Sequence, residues 1–307
     1  MHNPNGMDDR AWPVGYSCGR KRPPLPEVRS PTVRRRELGA LLRALRTEKN
    51  LTVEQVAASL LCSASKVSRM ETGHGAATPR DVRDLCELYG VTSQAERDRM
   101  LQLAREGRQQ GWWQSYDLDF DTYVGLEAAA IGLKYYQSTI VPGLLQTADY
   151  ARAMLAVSIP KLTPERIDEL LEVKMTRQAI LGREQPLRLW AVLDEAALHR
   201  VVGGPAVMAA QLQHLVEATS NPNVTVQVIP YAAGAHPAMD STFNILEFAD
   251  SIPNMVYVEG LVGWIYLDRP AEIDKYQQVF DSLCHLALTS KESIDLAVKI
   301  GKRYEAV

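Results

Sequence analysis

Cysteine is scarce in this chain: 4 in 307 residues, at Cys18, Cys62, Cys86 and Cys284, with no CxxC spacing among them. Neither a disulfide framework nor a zinc site is indicated, and a reducing, cytoplasmic setting is expected. Long apolar runs are also missing. None approaches the roughly 18 to 20 residues that span a bilayer, so no membrane partner is expected. The opening MHNPNGMDDRAWPVG has no apolar segment of the kind a secretory signal needs. There is no G-x-S-x-G elbow, no Walker loop and no G-x-G-x-x-G turn. With them go the commonest sequence signs of hydrolases and nucleotide-binding enzymes, and no cofactor or metal is expected.

A length of 307 residues is long for one core and suggests two domains, and 46% hydrophobic with 23% charged residues is ordinary for globular protein. The net charge of −3 hides an asymmetry. Residues 1–108 hold 19 Lys+Arg against 13 Asp+Glu, an excess of +6, and the remainder carries −9. A basic module joined to an acidic one points to an anionic partner for the first alone, although a merely solvated basic face has the same composition.

Residues 1–31 are rich in Pro and Gly and end in RKRPPLPEVRSP. No periodicity is visible, so a disordered arm is expected. Residues 32–106 predict five short helices. In the first, over 32–48, Leu38, Leu41, Leu42 and Leu45 recur at helical period. Thr52 caps the second and Ser63 the third, which Gly73 ends. Thr78-Pro79 opens the fourth, and the fifth runs from Ser93 to Glu106.

The third helix carries chemistry. A DNA-reading helix needs an apolar inner face, a short polar outer face and flanking positive charge. Ala57, Leu60, Val67 and Met70 supply the first. Ser63, Ala64, Ser65, Lys66, Ser68 and Arg69 supply the others, with Ala64, Ser65 and Arg69 on one outward face. Arg69 is suited to bidentate guanine contact and Ser65 to either base type. Lys66, Thr72, Thr52 and the arginines of the first helix suit phosphates.

A hinge is expected over 107–121, containing GWWQSY, where Trp112 and Trp113 either pack between domains or line a ligand pocket. From 122 to 307 the pattern predicts an α/β domain with a small mixed sheet. Helices are expected at 122–137, 144–156, 164–183, 207–219, 270–289 and 291–305. The short apolar runs 187–193, 224–230, 242–248, 255–260 and 263–267 predict strands. His236, Asp240 and Glu259 would make an acid–base site if they met, but no paired-ligand spacing supports one. A loop-shaping role for Gly234, His236 and Pro237 is the simpler expectation, and the chain is not expected to be an enzyme.

LTVEQVAASLLCSASKVSRMETG (51–73) resembles the phage-repressor, Xre-type helix-turn-helix domains. That likeness implies an ion pair between Arg46 and Glu71, bracing the first helix against the third. Two positions depart from the pattern: Val53 replaces a frequent Gln, and Leu61 replaces the usual turn glycine, so the turn is expected not to need a left-handed residue. PTVRRRELGALLRALR, TPRDVRDLCELYGV, VPGLLQTADYARAML, NPNVTVQVIPYAAGAHPAMDSTFNILEF and MVYVEG extend the resemblance to actinobacterial WhiJ-like, antitoxin-like regulators with a C-terminal domain of unknown function. The resemblance implies transcriptional control, usually repression, of double-stranded DNA and a small protein partner encoded nearby. Groove geometry adds a homodimer, since one small helix-turn-helix makes few contacts. The alternatives are a small-molecule sensor with its pocket near Trp112 and Trp113, and an enzyme around His236 and Glu259.

Overall fold

The computed structural model describes residues 30–118, 120–249, 252–261 and 263–306. The expected arm lies outside the described residues except at its end, where the expectation is corrected. Pro31 is the first residue of helix α1 (Pro31–Glu48), and Ser30 before it is buried. Proline fits there because the N–H it lacks would have no helical partner.

The N-terminal unit continues with α2 (Val53–Ser59), α3 (Ala64–Glu71), α4 (Pro79–Leu88) and α5 (Gln94–Glu106). Thr52, Ser63, Thr78 and Ser93 each accept a hydrogen bond from the backbone N–H three residues on. Each such cap stabilises its helix by about 1 kcal/mol. Leu38, Leu42, Val56, Val67, Met70, Val82, Leu85 and Met100 close a common core. Helix α1 crosses α3 at Gly39, where a Cβ would stand 2.6 Å from the carbonyl oxygens of Met70 and Glu71. Only glycine permits that approach.

The C-terminal unit opens with α6 (Asp121–Ala129), and here the sequence misleads. The helix expected over 122–137 stops at Ala129, and Gly132–Gln137 forms strand β1. Ile131 already belongs to the sheet, its N–H bonding Glu247 O at 2.9 Å and its carbonyl accepting from Arg188 N at 3.1 Å. An apolar run cannot by itself be assigned to helix or strand, and long-range pairing decides this one. The helix expected over 144–156 is shorter, α7 (Ala148–Ala156), capped by Thr147. The next, α8 (Pro164–Gln178), ends before a 3-10 turn over Ala179–Leu181.

The five expected strands form as β2 (Arg188–Asp194), β3 (Val224–Ile229), β4 (Phe243–Glu247), β5 (Met255–Gly260) and β6 (Gly263–Leu267). The order is β3-β2-β1-β4-β5-β6, with β1, β2 and β3 parallel and β4, β5 and β6 added antiparallel. Parallel neighbours need crossovers. The first runs through α7 and α8, the second through α9 (Ala196–His199) and α10 (Pro205–Ala218). Helices α11 (Pro270–Leu286) and α12 (Ser290–Glu305) end the described chain.

Both sheet faces are covered. On one, Leu133, Tyr135, Leu189, Leu193 and Val226 pack with Leu126 of α6, Leu212 of α10 and Ile300 of α12. On the other, Tyr136, Val192, Ile245 and Val256 pack with Phe280 and Leu283 of α11. The first turn of α1 belongs to both units. Val33 joins the C-terminal core beside Tyr123, and Thr32 lies against Gly125.

Candidate nucleic-acid interface

Helices α2 and α3 form a tight pair whose inner residues Val56, Ala57, Val67 and Met70 are buried. The connection corrects one expectation. Leu61 has φ +51° and is 95% exposed, so the turn does use a left-handed residue. The cause is the way α2 ends. Leu61 N–H bonds Ala58 O at 3.2 Å and Cys62 N–H returns to Ala57 O at 2.9 Å, a capping pattern that requires positive φ at the residue between. Helices α1 and α4 end the same way with Asn50 and Gly90 at that position, both better suited to it.

Along α3 the exposed side chains are Ser65, Ser68, Arg69 and Thr72, with Ser63 exposed at the N-cap. Arg69 takes no ion pair among the described residues and remains available to a base edge or phosphate. Ala64 departs from its expected outward place and is half-buried against the N-terminal core. The reason is helical geometry: one turn before Val67 and Met70, it shares their side of α3. The Ser63 and Thr52 hydroxyls serve first as caps, accepting from Lys66 N at 3.2 Å and Gln55 N at 3.3 Å. The Thr72 hydroxyl donates to Ser68 O at 2.9 Å.

Lys66, expected to position phosphate, is paired within the protein. Its Nζ lies 2.6 Å from Asp81 Oδ1, tying α3 to α4. Burial alone would raise the Asp81 carboxyl, but hydrogen bonds from Lys66 and Thr78 outweigh it and hold the group below its ordinary value. Arg46 and Glu71 meet as the resemblance implied. Arg46 Nε and the second guanidinium nitrogen reach the two carboxylate oxygens at 2.7 and 2.9 Å, and Nη1 donates to Leu51 O at 2.8 Å. The Glu71 hydrogen bond is the largest cause raising the Arg46 guanidinium, ahead of the opposing effect of burial. One fork thus joins α1, the α1–α2 connection and the end of α3.

The arginines at the start of α1 are engaged within the protein. Arg34 pairs with Glu37 at 2.6 Å and with Glu106 at 3.1 Å. Arg35 hydrogen-bonds Thr32, and Arg36 lies over the Tyr266 ring, 5.6 Å from its centroid and 3.8 Å from Asp268. Burial lowers both Arg35 and Arg36, opposed by nearby acids. Their charge is spent on the junction between the two units because the first turn of α1 is wedged there. Sequence reasoning did not single out Arg80, an exposed cation in the first turn of α4 beside Asp81; its side chain is 85% exposed and lies 3.8 Å from Asp84. The Thr78-Pro79-Arg80 run was its only signal.

The hinge tryptophans pack. Trp113 is buried against Val124 and Ala128, with Trp112 set edge-on at 6.0 Å. His236, Asp240 and Glu259 do not form a site. His236 Nε2 lies 3.3 Å from Tyr136 Oη and 3.7 Å from Asp194 Oδ2, while Asp240 is exposed. Glu259 follows Tyr257 by two along β5 and so faces the opposite side of the sheet from Tyr136. Among the described residues no group of His, Cys, Asp and Glu is placed to hold a metal ion. No helix among them is long and apolar enough to cross a membrane.

Residues 37–100 match a family described as a helix-turn-helix domain. Residues 120–297 match one described as a domain of unknown function (DUF5753). No curated protein and no solved structure matches the chain. A two-helix DNA reader with a bare arginine on its outer face precedes a mixed-sheet domain that takes up more than half of the chain. The chain therefore belongs to the DUF5753 family and is a helix-turn-helix DNA-binding regulator.

Proposed function

We propose that this regulator is an Xre-type repressor that binds a two-fold operator as a homodimer. Its C-terminal domain takes a small protein encoded by a neighbouring gene, in the antitoxin-like arrangement of the actinobacterial WhiJ-like proteins. The observation that carries the DNA-reading half is the outer face of α3, where Ser65, Ser68, Arg69 and Thr72 are exposed while Val67 and Met70 anchor the helix from behind. Ser65 and Arg69 read bases; Thr52, Thr72 and Arg80 position phosphates. The dimer follows from the small area one such helix covers. The acidic balance beyond residue 108 suits a partner with a basic surface. In this reading the C-terminal domain catalyses nothing and the protein works in the cytoplasm, on the nucleoid.

The experiment is footprinting on DNA upstream of its own gene, paired with sedimentation of the free and bound protein. The reading expects a dimer that protects two half-sites related by two-fold symmetry, about 34 Å apart. A monomer protecting one asymmetric site would remove the dimeric half of the proposal.

A further inference from the structure

The two edges of the six-stranded sheet are finished differently. At β3 the chain entering α12 meets the outer side: Leu288 N–H bonds Val228 O at 2.8 Å, and Val228 N–H donates to the Ser293 hydroxyl at 2.9 Å. At the other edge β6 pairs with β5, and among the described residues nothing pairs with its outer side. Open strand edges recruit other strands, so proteins usually blunt them with a lysine, a proline, a bulge or a covering element. The β6 sequence Gly-Trp-Ile-Tyr-Leu has neither charge nor proline. Its Trp264 and Ile265 are exposed, Ile265 at 58%.

Register fixes which backbone groups this edge offers. Gly260 and Gly263 pair across a two-residue connection, which makes them a hydrogen-bonded pair. By alternation Ile265 with Val258 and Leu267 with Val256 are hydrogen-bonded pairs too. Trp264 and Tyr266 therefore turn their N–H and C=O groups outward. A second β6, antiparallel and centred on Ile265, sets Trp264 of each copy opposite Tyr266 of the other. Every outward N–H then meets an outward C=O, the aromatic side chains pair on one face, and Ile265 meets Ile265 on the other. Centring the pair on Trp264 or Tyr266 instead leaves the other residue's groups facing beyond the end of the opposing strand. The strand is complementary to itself in one register.

Charge and position favour a second copy as the occupant. The chain beyond residue 108 carries −9, so a basic partner is drawn to its acidic surface, whereas β6 is uncharged. The DNA-binding unit is also tied to this strand. Arg36 of α1 lies over the Tyr266 ring and beside Asp268, and Val33 joins the core on the same face of the sheet. A two-fold axis between antiparallel strands stands perpendicular to the sheet. Both helix-turn-helix units then stay on one face of the joined sheet, as a single duplex touching both α3 helices requires.

We propose that β6 is the dimerisation strand: two copies pair edge to edge about Ile265 and join their sheets into one. The proposal rests on the reading of this regulator as a homodimer and names the surface that builds it.

Sedimentation of the full chain across protein concentrations, free and with DNA from upstream of its own gene, tests this with three variants. Ile265→Lys sets two ammonium groups face to face at the two-fold axis and is expected to weaken the dimer at least tenfold, with circular dichroism showing an intact fold. Leu286→Lys, at an exposed apolar position of α11, is expected to leave the dimer unchanged. Ile265→Cys, with Cys18 and Cys62 replaced by serine, is expected to give a disulfide-linked dimer on mild oxidation, because facing residues of a non-hydrogen-bonded antiparallel pair lie within disulfide reach. A dimer that Ile265→Lys spares, or that Ile265→Cys does not cross-link, would overturn this surface and leave the homodimer reading standing. A chain monomeric both free and on DNA would overturn both. With Cys18 retained, an intrachain link from Cys18 to position 265 in place of the dimer would give the edge to residues 1–29 and overturn the proposal.

Discussion

Replacing Leu61 with glycine should make the DNA-binding unit more stable. Leu61 occupies the left-handed position that ends α2, with φ +51°. A residue with a β-carbon loses roughly 1–2 kcal/mol there. Its side chain is 95% exposed, so the substitution removes almost no buried apolar surface. Against the relief stands the greater freedom of glycine in the unfolded chain, about 0.5–1 kcal/mol. The balance is a gain of about 0.5–1 kcal/mol. Urea unfolding followed by helical circular dichroism reads it as a higher midpoint of the N-terminal transition with unchanged slope. Gly90→Ala is the mirror control: it places a β-carbon at φ +66° at the end of α4 and should destabilise by a similar amount. A Leu61→Gly midpoint equal to or below that of the parent chain would refute the claim that this turn stores strain.

Three other outcomes are expected. Glu71→Ala strands the Arg46 fork between α1 and α3 and should cost about 3 kcal/mol, read as a lower N-terminal melting temperature; an unaltered melt would show that the fork contributes nothing. The Asp81 carboxyl is held below its unfolded value, so its stabilisation is present above about pH 4 and is lost as pH falls further; Asp81→Asn should flatten that acid limb in pH-dependent unfolding, and an unchanged limb would count against the Lys66–Asp81 link. Lys174 is displaced the other way for a base. Between about pH 8 and 10 this site binds more protons in the unfolded chain than in the folded one, so its contribution to stability should rise with pH there; Lys174→Met should remove that contribution, and an equal slope in the variant would contradict the lowered ammonium.

The N-terminal unit was legible in the sequence because its information is local. Thr52, Ser63, Thr78-Pro79 and Ser93 announce four helix starts, and the leucine spacing of α1 gives its buried face. The Arg46–Glu71 pair came through family likeness, since a contact across 25 residues leaves no local trace. Leu61 shows the limit of such likeness: its side chain argued against a left-handed turn, and the hydrogen bonds closing α2 impose one. In the C-terminal unit five strands were readable from β-branched and aromatic runs. The central strand β1 was not, because Gly132–Gln137 becomes a strand only by pairing with β2 and β4, which come later in the chain. Arg34 and Arg36 of α1 looked like phosphate ligands by charge alone. Their acidic and aromatic partners, Glu106, Asp268 and Tyr266, lie far along the sequence, and only the fold brings them together.

The most direct test of DNA reading by α3 is fluorescence anisotropy on DNA from upstream of the protein's own gene, titrated across salt concentrations. Arg69→Ala and scrambled DNA serve as the comparisons. Specific binding with a steep salt dependence is expected, and Arg69→Ala should weaken it by about 1–3 kcal/mol while relaxing preference at one base step. Full-strength, sequence-selective binding by Arg69→Ala would contradict the placement of Arg69 in the groove.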